Sequence, residues 1–146
     1  MTIPSYHCII FATEYFHYGI SRVSFTNTTD NKEKILENEM WNVPSKDRLD
    51  RIPRLYETEK IPVEEKLIYL HLFIGSCDWY VAEFDGEDTF WGYAILNGDL
   101  QNAEWGYFSF AELRDYVLKG VVEIDCELER IWRVKMFREI EKLKFL

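Results

Sequence analysis

Apolar and polar positions alternate most regularly between Trp79 and Tyr107, and the rest of the chain is organised around that stretch. Side chains of an extended chain point to alternate sides, so Trp79 to Phe84 reads as a strand. Tyr80, Ala82 and Phe84 would share one face, and Trp79, Val81, Glu83 and Asp85 the other. Asp85-Gly86 tolerates the positive φ of a tight hairpin turn. Thr89 to Leu96 is the return strand. Gly92 in its middle predicts a bulge, or a place where a bulky aromatic crosses the backbone. A second turn at Asn97 to Asn102 leads into a third strand, Glu104 to Phe108.

Downstream, Ser109 and Glu112 have the spacing of a capping box, and Phe110, Leu113 and Val117 recur at helical spacing. They predict a helix running to about Leu118, closed by Gly120 and covering one face of the meander. Val121 to Ile124 reads as a strand. Glu127 to Lys144 has helix-forming composition, with Leu128, Ile131, Trp132, Ile140 and Leu143 available for a buried side.

Upstream, Tyr6 to Ala12 and Ile20 to Thr26 read as strands. Asp30 and Glu33 open a helix over Asn31 to Trp41, ended by Pro44. Ser45 and Arg48 to Ile52 form one helical turn before Pro53, and Arg54 to Ile61 is a connector. Glu64 to Ile74 permits a helix opened by Pro62 or a strand buried on both faces. Its bounded apolar run beside further strands favours a strand over Lys66 to Ile74. The expected fold is α+β, with residues 1–146 forming one domain. An antiparallel meander sheet is packed by a short capped helix, with added N-terminal and C-terminal elements.

Composition narrows the function classes. Hydrophobic residues make up 47% and aromatics 16%, enough for one core. No run approaches the roughly 20 apolar residues of a membrane helix. The N-terminus shows neither a basic segment nor a cleavage site, so no signal peptide is expected. Cys8, Cys77 and Cys126 are odd in number and widely spaced, which favours free thiols in the cytoplasm over disulfides or a zinc site. The net charge is -9, and it is uneven. Residues 130–146 carry six Lys/Arg and two Glu, a local +4, which leaves 11 basic and 24 acidic residues, or -13, on the other 129. Such a body repels nucleic-acid phosphates and attracts basic protein surfaces. The basic tail (Arg130, Arg133, Lys135, Arg138, Lys142, Lys144) is expected to dock on this acidic body rather than on an acidic partner.

Two constellations carry candidate chemistry. Glu83, Asp85, Glu87 and Asp88 surround one hairpin turn. They would hold a hard cation or act as an acid/base pair, or else are turn chemistry at a solvated tip. Trp79, Trp91, Tyr93, Trp105 and Tyr107 lie on three neighbouring strands. Residues of matched parity would form an aromatic wall, bordered by Glu83 and Glu104, that grips a ligand or a basic side chain by stacking and cation–π contact. The competing reading is core packing. With two sheet faces and one covering helix, an aromatic face is expected to stay open. His7, His17 and His71 are isolated, and His71 reads as a hydrogen-bonded core residue. Cys77, beside Asp78, is expected in a turn, accessible but unactivated. There is no phosphate loop, HExxH or GxSxG.

From Tyr56 to Leu113 the chain resembles domain of unknown function 2958, a family of small bacterial proteins often carried on plasmids, phages and integrated elements. The resemblance rests on Leu55-Tyr56 with Glu59, Ile61-Pro62, Trp79-Tyr80-Val81, Glu83 to Asp88 with Phe90 and Gly92, and Glu104 to Ser109 with Glu112-Leu113. Residues 54–120 form the family-like core, and residues 1–45 have no counterpart. Glu129-Arg130 matches the start of the family's closing segment, without the proline that usually follows. The resemblance implies a strand near 128–134 and a helix from about Lys135, in place of a single tail helix. It implies a mobile-element setting and no reaction.

The expected function is therefore a non-enzymatic acidic binding protein, of anti-defence or nucleic-acid-mimic type, with no cofactor, no direct nucleic-acid contact and no membrane. Its partner-binding residues would be Trp79, Glu83, Asp85, Glu87, Asp88, Trp91, Glu104, Trp105 and Tyr107, facing a basic protein. The alternative is a metal-dependent enzyme or nucleotide-binding protein using Glu83, Asp85, Asp88 and Glu104. A homodimer formed through strand edges is a third possibility.

Overall fold

Tight turns fold the middle of the chain back and forth, so segments adjacent in sequence become neighbouring antiparallel strands. The computed structural model describes residues 43–118 and 122–143. The strands expected at Tyr6–Ala12 and Ile20–Thr26 and the helix expected at Asn31–Trp41 lie outside them. A helical turn, α1 (Lys46–Asp50), opens the described chain, capped by the Ser45 side chain, which accepts from the Arg48 amide. A 3-10 turn at Val63–Glu65 leads into β1 (Leu67–Ile68). Then come β2 (Leu70–Ile74), β3 (Cys77–Phe84), β4 (Thr89–Ile95) and β5 (Glu104–Ser109). Helix α2 (Phe110–Asp115) is capped by the Ser109 hydroxyl, which accepts from the Glu112 amide at 3.1 Å. Short strands β6 (Val117–Leu118), β7 (Val122–Glu123), β8 (Asp125–Cys126) and β9 (Lys135–Met136) follow. The main sheet has the order β5-β4-β3-β2-β8, and β1–β9 and β6–β7 form two-stranded ribbons. The fold is α+β, a meander packed by a short capped helix.

Four local expectations need correction. Lys66–Ile74 is two strands, interrupted at Tyr69: β1 pairs with β9, while β2 pairs with β3. The alternation of β3 breaks at a bulge between Val81 and Glu83. Phe84 therefore joins Trp79 and Val81 on one face, not Tyr80 and Ala82. The bulge lies in β3, beside the pairing of Val81 with Gly92, where an added Cβ would meet the Tyr80 carbonyl oxygen at 2.0 Å. Helix α2 ends at Asp115, short of Leu118 and Gly120, because Tyr116 turns extended and Val117–Leu118 pairs with Val122–Glu123.

The tail is neither the long helix of residues 127–144 nor a strand near 128–134 followed by a helix. After β9 it makes two 3-10 turns, Phe137–Glu139 and Glu141–Leu143. Phe137, Ile140 and Leu143 recur every third residue, which is the 3-10 period, and all three pack against the sheet.

Both sheet faces are consequently covered. On one, Leu72, Trp79, Val81, Phe90 and Phe108 pack under Leu113 of α2, with Ile52 and Ile124 completing the core. On the other, Tyr80, Ala82, Tyr93 and Ile95 pack under Trp132, Ile140 and Leu143, flanked by half-buried Trp91, Trp105 and Phe137. Each fully buried large apolar side chain contributes about 1.5–3 kcal/mol. The tail thus takes most of the aromatic face expected to stay open.

Candidate functional site

The expected site residues separate into three groups. Trp79 is in the core under α2, since its cross-strand partner is Ala94, on the face opposite Trp91 and Tyr93. Its indole N–H is buried without an acceptor among the described residues. Cys77, expected in a turn, is instead the first residue of β3 and buried, and burial pushes its thiol up.

The carboxylates form the second group, in which Asp85 and Asp88 each have their own donors. The Asp85 side chain accepts from the amides of Glu87 (2.7 Å), Asp88 (2.8 Å) and Thr89 (3.0 Å), closing a four-residue loop in which Gly86 has φ 95°. This replaces the expected two-residue turn. Burial pushes the Asp85 carboxyl up, but those hydrogen bonds outweigh it and hold it below the usual range. Asp88 accepts from the Ser109 hydroxyl (2.7 Å) and the Ala111 amide (2.7 Å), tying the loop to the start of α2. Glu87 and Glu104 are exposed. Among the described residues no three His, Cys, Asp or Glu side chains are placed to hold a metal ion.

The third group stays together. Trp91 pairs with Tyr107 and Tyr93 with Trp105 across β4 and β5. Trp91 and Trp105 stack with centroids 4.6 Å apart, and Phe137 meets Trp105 at 4.8 Å. The bulge beside Gly92 leaves Glu83 opposite Trp91, buried at 4% exposure. Its carboxylate accepts from the Tyr56 amide (2.7 Å), the Thr58 amide (3.1 Å) and the Thr58 hydroxyl. That hydroxyl in turn accepts from Lys66 Nζ at 2.9 Å, and the ammonium lies 5.0 Å from the centre of the Trp91 ring. A buried anion and a buried cation are thus joined through one threonine, which offsets the desolvation each would otherwise suffer.

This staple fixes the 54–61 connector on the sheet and presents Tyr56. Tyr56 sits at φ 71°, where a side chain is strained, yet the residue is 65% exposed. Tyr107 lies beside it. Hydrogen bonding to the Tyr56 side chain, then burial, then the charges of Tyr56, Glu83 and Glu59 push its phenol up to about 12. Periodicity gave no sign of Tyr56, Thr58 or Lys66, because Glu83 reaches Tyr56 and Thr58 across 27 and 25 positions of chain and Lys66 joins only through Thr58. The one sequence signal was that Leu55-Tyr56 and Glu59 belong to the resemblance.

On the same sheet face His71 is hydrogen-bonded at both ring nitrogens, as its apolar setting predicts. Nδ1 lies 2.8 Å from Glu127 Oε2 and Nε2 2.9 Å from Asp78 Oδ1, and the ring stacks on Tyr80. Asp78 also pairs with Lys142 of the tail. Burial pushes the Asp78 carboxyl up, but the His71 and Lys142 hydrogen bonds outweigh it and hold it low. With both nitrogens engaged, the imidazole has no free position for a metal or substrate. Comparison with protein-family models, curated proteins and solved structures finds no match to this chain.

Proposed function

We propose that this is a non-enzymatic binding protein of a mobile genetic element, acting in the cytoplasm on a partner with a basic surface. The observation that carries the reading is Tyr56, an exposed ring held at positive φ by a buried carboxylate. Backbone strain of this kind costs on the order of 1–3 kcal/mol and concentrates at ligand clamps. Tyr107 and the partly exposed Trp91 extend the rim, and the exposed carboxylates of Glu57, Glu59, Glu64, Glu87 and Glu104 give it negative charge. Aromatic rings among carboxylates suit arginine and lysine side chains. Mimicry of a nucleic acid is one concrete form, with carboxylates standing where phosphates would lie in a DNA-binding groove. The buried free thiols of Cys77 and Cys126 suit a reducing compartment. The mobile-element setting comes from the resemblance over Tyr56–Leu113 alone.

The test is capture from bacterial lysate with the wild-type protein and with Tyr56→Ala, across a salt series. The expected result is a basic partner whose capture fades as salt rises and weakens roughly tenfold in the variant, as truncation of an aromatic hot spot does. Capture indifferent to both salt and Tyr56 overturns the proposal.

A further inference from the structure

Where α1 meets the segment after β8, Arg48, Arg51, Arg133, Tyr69, Trp132 and Glu129 line a cavity of about 270 Å³. It shares no residue with the Tyr56 rim. Three guanidiniums at one cavity run against the acidic balance of the chain, whose net charge is -9. Glu129 is the one carboxylate in the lining, and it is ion-paired with Arg51, both side chains being more than half exposed.

Arg48 is different. It is only 9% exposed, and its Nη1 donates to the Glu127 carbonyl at 3.1 Å and contacts Cys126 Sγ at 3.8 Å. No ion pair joins it to a described carboxylate, whereas Arg51, Lys142 and Arg138 each have one. A guanidinium this buried gains from a closely paired anion, and its planar fork of donors matches two oxygens of a carboxylate or phosphate. Tyr69 and Trp132 add aromatic wall to the cavity, and its volume admits only a small molecule.

We propose that this cavity is a binding site for a small oxyanion, a phosphate or carboxylate, carried on a planar ring. Arg48 and Arg133 neutralise the anion, and Tyr69 and Trp132 take the ring.

The test is calorimetric titration of the full chain with phenyl phosphate, benzoate, inorganic phosphate and phenol. Phenyl phosphate or benzoate is expected to bind at one site, at least roughly tenfold tighter than either inorganic phosphate or phenol, since each lacks half of the recognition. Arg133→Gln, at an exposed position, is expected to weaken that binding roughly tenfold, while the remote Arg114→Gln leaves it unchanged. Arg48→Gln is expected to abolish it. If that variant fails to fold, Arg133→Gln still decides the matter. Absence of saturable binding by all four probes, equal affinity for inorganic phosphate and phenyl phosphate, or binding insensitive to Arg133 overturns the proposal.

Discussion

Glu83 shows how much one side chain contributes when its donors come from a distant segment. Its two oxygens receive the Tyr56 and Thr58 amides and the Thr58 hydroxyl, so the 54–61 connector is positioned by a residue of β3. Glu83→Ala leaves those donors without their acceptor and removes the anion that Lys66 faces through Thr58, and an orphaned buried donor costs about 1–3 kcal/mol. A loss of roughly 2–4 kcal/mol in urea unfolding is expected, together with a Tyr107 phenol that titrates nearer the ordinary value. Glu83→Gln keeps the shape and one acceptor oxygen, and should cost less. Equal stability of Glu83→Ala and wild type would show that the connector is held by other contacts. None of this was legible in the sequence, where Glu83 is one of four carboxylates around a turn. Its neighbour Asp85 was legible as turn chemistry, because its donors lie within four residues.

At the scale of elements, local signals were decisive where partners are close in sequence. The Ser109 cap forms as its residues predict, the hairpin between β3 and β4 forms with a four-residue loop in place of a two-residue turn, and the structure joins the two through Asp88. The Ser109 hydroxyl accepts from the Glu112 amide and donates to Asp88, whose carboxylate also takes the Ala111 amide. Ser109→Ala and Asp88→Ala should each cost about 1 kcal/mol, the usual effect of losing a cap. Because the two share one network, the double variant should cost less than the sum. Strict additivity in a thermal-unfolding cycle would break the link. Gly92 makes a stronger demand. Its Cβ would enter the Tyr80 carbonyl, so Gly92→Ala must push β3 and β4 apart at the bulge. A destabilisation on the order of 3 kcal/mol is expected, and a variant as stable as wild type would refute the close approach.

For the molecule as a whole, the acidic body and basic tail meet through Lys142–Asp78 and the looser Arg138–Glu65 contact at 3.9 Å. Asp78 anchors the tail and holds His71, so its ionisation is coupled to stability. Its folded carboxyl titrates below the unfolded value of about 3.9, so its contribution is complete above that pH. The contribution is lost as pH falls through the lower folded value. Asp78→Asn is expected to be less stable at pH 7 and to show a shallower decline below about pH 4. An unchanged acid slope in urea unfolding would remove Asp78 from this role.

What the sequence determined by itself was the meander, the positions of its reversals, the Ser109 helix start and the α+β class, because alternation and capping act between residues a few positions apart. The tertiary structure alone decided that the tail lies as 3-10 turns over the second sheet face, that Tyr56 stands over Glu83, and that Arg48 is buried beside Arg51 and Arg133. Those outcomes depend on which apolar surface remains uncovered after the sheet has formed, and on donors and acceptors supplied by segments far apart along the chain. No local pattern encodes either.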